Sequence, residues 1–171
     1  MSVNGLPGEP RFDQVLRKLA ESLRVRNWTL ATAESCTGGW IAKCCTDLAG
    51  SSTWFERGFV TYSNQAKQDM LGVSAGTLES HGAVSKQTVL EMVDGALSHS
   101  RAHWALAISG IAGPGGGSAD KPVGTVWFGW GGPSGWRHTQ QHCFEGDRDA
   151  VRQQAVLYAL DGLAARCLDQ S

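Results

Sequence analysis

Three side chains of this sequence, Ser35, Lys67 and Tyr62, could carry out acyl transfer if the fold brings them together. A serine hydroxyl needs a partner to take its proton before it attacks at neutral pH, and a lysine can be that partner where burial lowers its pKa. Ser35 lies in the run Leu30-Ala31-Thr32-Ala33-Glu34-Ser35-Cys36-Thr37-Gly38-Gly39. The run reads as a buried strand that stops at the serine and turns through two glycines into a helix. Reactive groups belong at such a crossing: ligands collect at the carboxyl ends of strands in open α/β sheets, and the free N–H groups of the next helix can hold an anion. On this stretch alone, Ser35 or Thr37 as a plain helix cap is the simpler reading. Lys67, in Asn64-Gln65-Ala66-Lys67-Gln68-Asp69, is likewise most simply a solvated lysine on a short helix.

Other chemistries can be checked by spacing. The residues flanking Ser35 by two are Ala33 and Thr37, so the G-x-S-x-G pattern fails, and Ser118-Ala119-Asp120-Lys121 matches S-x-x-K without its K-T-G companion. The glycine-rich segment over residues 110–118 fits neither nucleotide-binding fingerprint. Its bare backbone N–H groups could nevertheless approach a phosphate or an oxyanion, or it could be a surface loop. Arg148, just after Asp147, could add a cation there or be an ordinary surface arginine. His99 and His103, and His138 and His142, are each four apart, but nothing completes a metal set apart from a doubtful Cys143, so no metal or cofactor is expected.

The positioning elements follow from pattern. Phe12, Val15, Leu16, Leu19, Ala20 and Leu23 make one apolar helical face. Helical segments are expected over about 37–48, from Asn64 to Gly72, around Leu78 to His81, from Ser85 along Val89, Met92, Val93 and Ala96, and from an Asp147 cap to about Cys167. Strands are expected to end at Ser35 and to cover 53–63, 104–109, 123–132 and 136–144, the last two forming a hairpin. The fold class is therefore α/β: a three-layer α/β/α sandwich on a mixed sheet of about five strands, with the Ser35 strand internal. If that strand neighbours both 53–63 and 104–109, then Ser35, Tyr62, Lys67, Ser109 and the glycine loop share one rim.

The 171 residues suit one domain over 12–168 after a flexible lead-in over 1–11. Fifteen basic against 16 acidic residues leave no electrostatic footprint for nucleic acid. Five cysteines without disulfide or zinc spacing, together with no apolar run of membrane length and no leader pattern, lead to the expectation of a cytoplasmic protein.

The segments 32–39, 58–64 with Lys67, 81–85, 109–114, 121–126 and Phe144-x-Gly146-Asp147-Arg148 together resemble, in this order, the CinA carboxy-terminal domain family. The resemblance covers roughly residues 12–168 and is closer to its stand-alone nicotinamide-nucleotide amidases than to forms with an extra amino-terminal domain. It implies hydrolysis of the carboxamide of nicotinamide mononucleotide to nicotinate mononucleotide and ammonia, a step of pyridine nucleotide salvage. Carried over, the nucleophile falls on Ser35, the base on Lys67 and a proton-relaying tyrosine on Tyr62. Substrate contacts are expected from Glu34, Thr37, Gly38, Gly39, Ser109, Gly110, Gly113, Gly116 and Arg148, with oxyanion and phosphate held at the Gly38-Gly39 helix start or in the glycine loop. Gly115 stands where relatives often carry a polar residue. The implied partner is this small-molecule substrate, with neither nucleic acid nor membrane, while assembly into a homo-oligomer is left open. The alternatives are an adaptor in competence or DNA damage, after which family members are named, and a hydrolase of another amide.

Overall fold

An internal strand, β1 (Leu30–Glu34), is buried at every residue and decides how the rest is arranged. Its parallel neighbours are β2 (Phe55–Val60) on one side and β3 (Trp104–Gly110) on the other, with Glu34 in register with both Val60 and Ile108. Beyond β3, the antiparallel β4 (Thr125–Gly131) and β5 (Arg137–Cys143) complete the order β2-β1-β3-β4-β5. A strand covered on both faces is mostly apolar, and β1 and β3 are so apart from the buried polar residues Thr32, Glu34 and Ser109. The computed structural model describes residues 10–170. The expected lead-in therefore lies, for residues 1–9, outside the described residues. Residues 10 and 11 belong instead to α1 (Pro10–Val25), because proline in the first turn gives up only an N–H that the helix leaves unpaired.

Alternation along β1 sorts the two cores. Leu30 joins the cluster formed with α1, α2 (Trp40–Asp47) and α6 (Arg148–Asp169). Ala31 and Ala33 join the cluster on the opposite face, with α3 (Asn64–Leu71), α4 (Ala75–His81) and α5 (Lys86–Ser98). Helices thus cover both sides of a mixed five-stranded sheet, the three-layer architecture expected from the sequence.

The element boundaries differ from the sequence pattern for identifiable reasons. The helix expected from residue 37 starts at Trp40, because Gly38 and Gly39 take positive φ angles of 59° and 98°, outside the helical region. The strand expected from residue 53 starts at Phe55. Before it, Ser51–Thr53 forms a single helical turn entered through left-handed Gly50, and the Trp54 side chain is driven into the core. The strand's far end also stops early: after Thr61 N–H donates to the Glu34 carbonyl (2.8 Å), the chain turns at Ser63. Ser63, rather than Asn64, caps α3 by accepting from the Ala66 N–H at 3.0 Å. α3 then approaches α5 closely, and a β-carbon at Gly95 would overlap the Leu71 carbonyl. That close approach seats Lys67 over the end of β1.

Candidate active site

The same alternation that divides the cores sends neighbouring side chains of β1 and its continuation to opposite faces. Glu34 points towards α2. Its carboxylate accepts from the Thr37 hydroxyl (2.7 Å), from the Ile41 N–H (2.8 Å) and from the Ala42 N–H (3.0 Å). Ser35 points the other way, beneath α3. There Lys67 Nζ lies 3.0 Å from Ser35 Oγ and donates to the Thr61 carbonyl at 2.9 Å.

Lys67 is 1 % exposed, and among the described residues no carboxylate pairs with it. Burial without a compensating anion disfavours the ammonium, so its pKa is pushed down, with a smaller opposing contribution from Cys36. A neutral amine can accept the Ser35 proton, whereas an ammonium cannot. The Cys36 thiol is pushed up to about 11 by its own burial, which keeps it protonated beside the serine.

Around this pair the carboxyl ends of β1 and β3 open into a cavity of about 250 Å³, lined by Ser35, Cys36, Tyr62, Asn64, Lys67, Ala83, Val84, Ser109, Gly110, Ala112 and Arg148. A larger space of about 410 Å³ between β5 and α6, lined by residues such as His142, Phe144 and Tyr158, holds none of these groups. Size alone therefore does not single out the candidate site; the contact between Ser35 and Lys67 sets the smaller cavity apart.

The model of the CinA C-terminal domain matches residues 12–167, nearly the whole chain. The chain belongs to the CinA C-terminal domain family. It is 59% identical over 150 residues to the nicotinamide-nucleotide amidohydrolase PncC of Escherichia coli K12, covering 88% of this chain and 91% of that one. It is 53% identical over 147 residues to the protein of the same name from Pseudomonas putida, covering 85% and 91%. Among solved structures, the competence/damage inducible protein CihA from Agrobacterium tumefaciens superposes with a TM-score of 0.89 at 44% identity, over 96% of this chain and 98% of that one.

Of the residues expected at the site of this CinA domain, Ser35, Lys67, Tyr62, Ser109, Gly110 and Arg148 line one cavity. Glu34, Thr37, Gly38 and Gly39, at the α2 start where substrate contacts are also expected, do not line it. Glu34 is 1 % exposed and Thr37 fully buried. The Glu34 carboxylate already takes the helix N–H groups that a bound anion would need. Desolvation raises the pKa of that carboxyl, against the hydrogen bonds from Ile41, Thr37, Ala42 and Gly39. Gly113 and Gly116 also lie outside the cavity wall, although the Gly113 carbonyl accepts from Arg148 Nη1 at 2.7 Å.

Tyr62 occupies the outer part of this cavity. It is 61 % exposed and its hydroxyl accepts from Arg148 Nη2 at 3.0 Å, so it stands at the cavity mouth and has no bond to Ser35 or Lys67. The separated histidine pairs have local roles. His103 Nδ1 accepts from the Thr29 N–H and His99 Nδ1 meets the Gly95 carbonyl, while His138 stacks on the Trp136 ring and His142 packs at a tilt against Phe144. No helix among the described residues is long and apolar enough to cross a membrane. Sequence reasoning missed Cys36, Asn64, Ala83, Val84 and Ala112 as wall residues. Each lies within or beside a segment carrying the family resemblance, and that adjacency was the available signal.

A lysine buried for chemistry destabilises the fold that holds it, because the folded state penalises a proton that the unfolded chain binds freely. With the folded pKa below the unfolded one, stability contributed by Lys67 falls as pH drops from about 10.4 through the folded value. Lys67→Met is accordingly expected to be at least as stable as the parent in urea unfolding at pH 7, and to gain more on the parent as pH falls. Marked loss of stability at pH 7 would mean that the ammonium is well accommodated and is no proton acceptor.

Proposed function

We propose that this CinA-family protein hydrolyses the carboxamide of nicotinamide mononucleotide, giving nicotinate mononucleotide and ammonia as a step of pyridine nucleotide salvage. The observation that carries the reading is Ser35 Oγ at 3.0 Å from a buried, unpaired Lys67 amine, in a chain 59% identical to a protein named as that amidohydrolase.

In this mechanism the neutral Lys67 amine takes the Ser35 proton while Ser35 Oγ forms a bond to the carboxamide carbon, and the carbonyl electron pair becomes an oxyanion. Collapse of that intermediate breaks the C–N bond, and the Lys67 ammonium returns the proton to the departing nitrogen, which leaves as ammonia. Water then attacks the Ser35 ester with Lys67 again as base, releasing nicotinate mononucleotide and restoring both groups. Lys67 can make both transfers because, among the described residues, it alone touches Ser35 with a titratable nitrogen. Tyr62 serves here to hold Arg148 at the mouth. Ala83, Val84 and Ala112 offer an apolar wall to the pyridine ring, and Asn64 and Ser109 offer polar groups near it.

The 5′-phosphate falls to Arg148 and the glycine loop. Arg148 spends two of its five N–H donors on the Gly113 carbonyl and Tyr62, leaving others for an anion. The loop is shaped by what its glycines meet. A β-carbon at Gly113 or Gly117 would strike Val123, and Gly116 holds a positive φ of 88°. At Gly115 a β-carbon meets nothing within 4 Å and the backbone is not left-handed, so a side chain there fills substrate space without straining the loop.

Two experiments test the reading. Ammonia release from nicotinamide mononucleotide should fall by about 10⁴-fold or more in Ser35→Ala and in Lys67→Ala, and hardly further in the double variant, because the two act as one unit. Multiplicative losses would contradict a coupled pair, and an inactive parent protein would remove the substrate assignment. Gly115→Val should raise KM for the mononucleotide several-fold and leave KM for the riboside, which lacks the phosphate, unchanged. Remote binding groups act alike on ground and transition states, so kcat should hardly move. Equal effects on both substrates would place the phosphate elsewhere.

A further inference from the structure

The proposed chemistry needs a donor for the oxyanion, and the N–H groups at the α2 start are taken by Glu34. The turn between β1 and α2 offers another. The Ser35 carbonyl accepts from the Gly38 N–H at 3.0 Å, which fixes the Ser35–Cys36 peptide plane. In a trans peptide the N–H points opposite to the carbonyl, so the Cys36 N–H is turned away from the loop interior. It donates to no other residue's backbone among the described residues, meeting the thiol of its own side chain instead, and Cys36 lines the cavity. It is also the amide immediately after the nucleophile, close to wherever a carbonyl attacked by Ser35 must sit.

What holds this turn comes from far along the chain. Arg152, in the second turn of α6, donates from Nε to the Cys36 carbonyl at 3.0 Å and from Nη2 to the Thr37 carbonyl at 3.3 Å. Its guanidinium lies over the Trp40 ring, 5.3 Å from the centroid. A planar fork that bridges two consecutive carbonyls and rests on an aromatic face fixes geometry in a way a flexible ammonium cannot. The turn it clamps contains two left-handed glycines and so has little conformational preference of its own.

We propose that Arg152 is a positioning residue for the reaction: by clamping the Cys36 and Thr37 carbonyls, it holds the Cys36 backbone N–H as the donor to the oxyanion formed at Ser35. The proposal rests on the amidase reading for its substrate, though not for its geometry. Arg152 touches neither Ser35 nor Lys67 and does not line the cavity. Its loss should therefore act on the transition state and leave ground-state binding alone.

The experiment compares the parent, Arg152→Lys and Arg152→Ala. For nicotinamide mononucleotide, Arg152→Ala should lower kcat by about 100-fold, the cost of losing one oxyanion donor, with KM within about twofold. Arg152→Lys, which keeps one of the two carbonyl contacts, should fall between. The 3-formylpyridine mononucleotide analogue adds Ser35 Oγ to its aldehyde carbon and carries the oxyanion as a hemiacetal. Its affinity should weaken in step with kcat/KM, while affinity for nicotinate mononucleotide stays unchanged. A raised KM with intact kcat, or equal weakening of aldehyde and product, would overturn the proposal by making Arg152 a substrate-binding or merely structural group.

A fluorophosphonate probe, read by mass spectrometry at Ser35, separates this from the substrate question. Phosphonylation also builds negative charge on an oxygen beside the serine, and should slow in Arg152→Ala whether or not the mononucleotide is the true substrate. Unchanged labelling would overturn the positioning role. Slowed labelling in a protein inactive on the mononucleotide would uphold that role while removing the substrate assignment.

Discussion

The arrangement depends on one unfavourable act: a lysine amine is placed under the sheet rim with no carboxylate to neutralise it. An ion pair would have been the stabilising solution, but it would have kept the lysine protonated and useless as a base. Instead the fold offers Lys67 two oxygens, Ser35 Oγ and the Thr61 carbonyl, and leaves desolvation to lower its pKa. Apolar packing elsewhere must offset the cost. The layers on both faces of β1 and β3 do so, with Trp54, Trp104, Trp130 and Phe128 among the largest side chains fully removed from water.

A buried carboxylate sits one residue from Ser35, and the pleat keeps it away from Lys67. Glu34 would be a strong anion for Lys67 if both shared a face, but strand alternation turns it to the opposite side of the sheet. There it closes the start of α2 with three hydrogen bonds. One strand end thus supplies a structural anion and a reactive hydroxyl, and the single-residue offset keeps their electrostatics apart. Arg152 and Arg148, one turn apart on α6, show a similar division. The first grips the nucleophile turn and the second spans the cavity mouth from Gly113 to Tyr62.

Much of this was legible in the sequence, because its signals were local or topological. The apolar run before Ser35, the glycine pair after it and the near-continuous hydrophobicity of 104–109 identified central strands. Adjacency rules then gathered Ser35, Tyr62, Lys67, Ser109 and the glycine loop at one rim, and of these all but the loop glycines beyond Gly110 line a common cavity. Two kinds of information were missing. Side-chain direction at a strand terminus decides whether Glu34 serves the substrate or the helix, and it depends on a register that no residue type announces. Long-range partners are also silent: nothing around Arg152 indicates that it meets a turn 116 residues earlier, and nothing near Tyr62 indicates that Arg148 engages its hydroxyl.

The central claim is that burial holds the Lys67 amine below its ordinary pKa beside Ser35, and it can be measured without any substrate. Lysine side chains labelled with ¹³C at the ε position report their own protonation by NMR, and Lys67→Met identifies the signal. The account predicts that the Lys67 resonance titrates clearly below the free-lysine value of about 10.4, while that of Lys43, exposed and held up by its Asp47 partner, does not. A Lys67 signal that titrates with the exposed lysines would contradict it, since the amine would then be a cation throughout the working range and Ser35 would have no base.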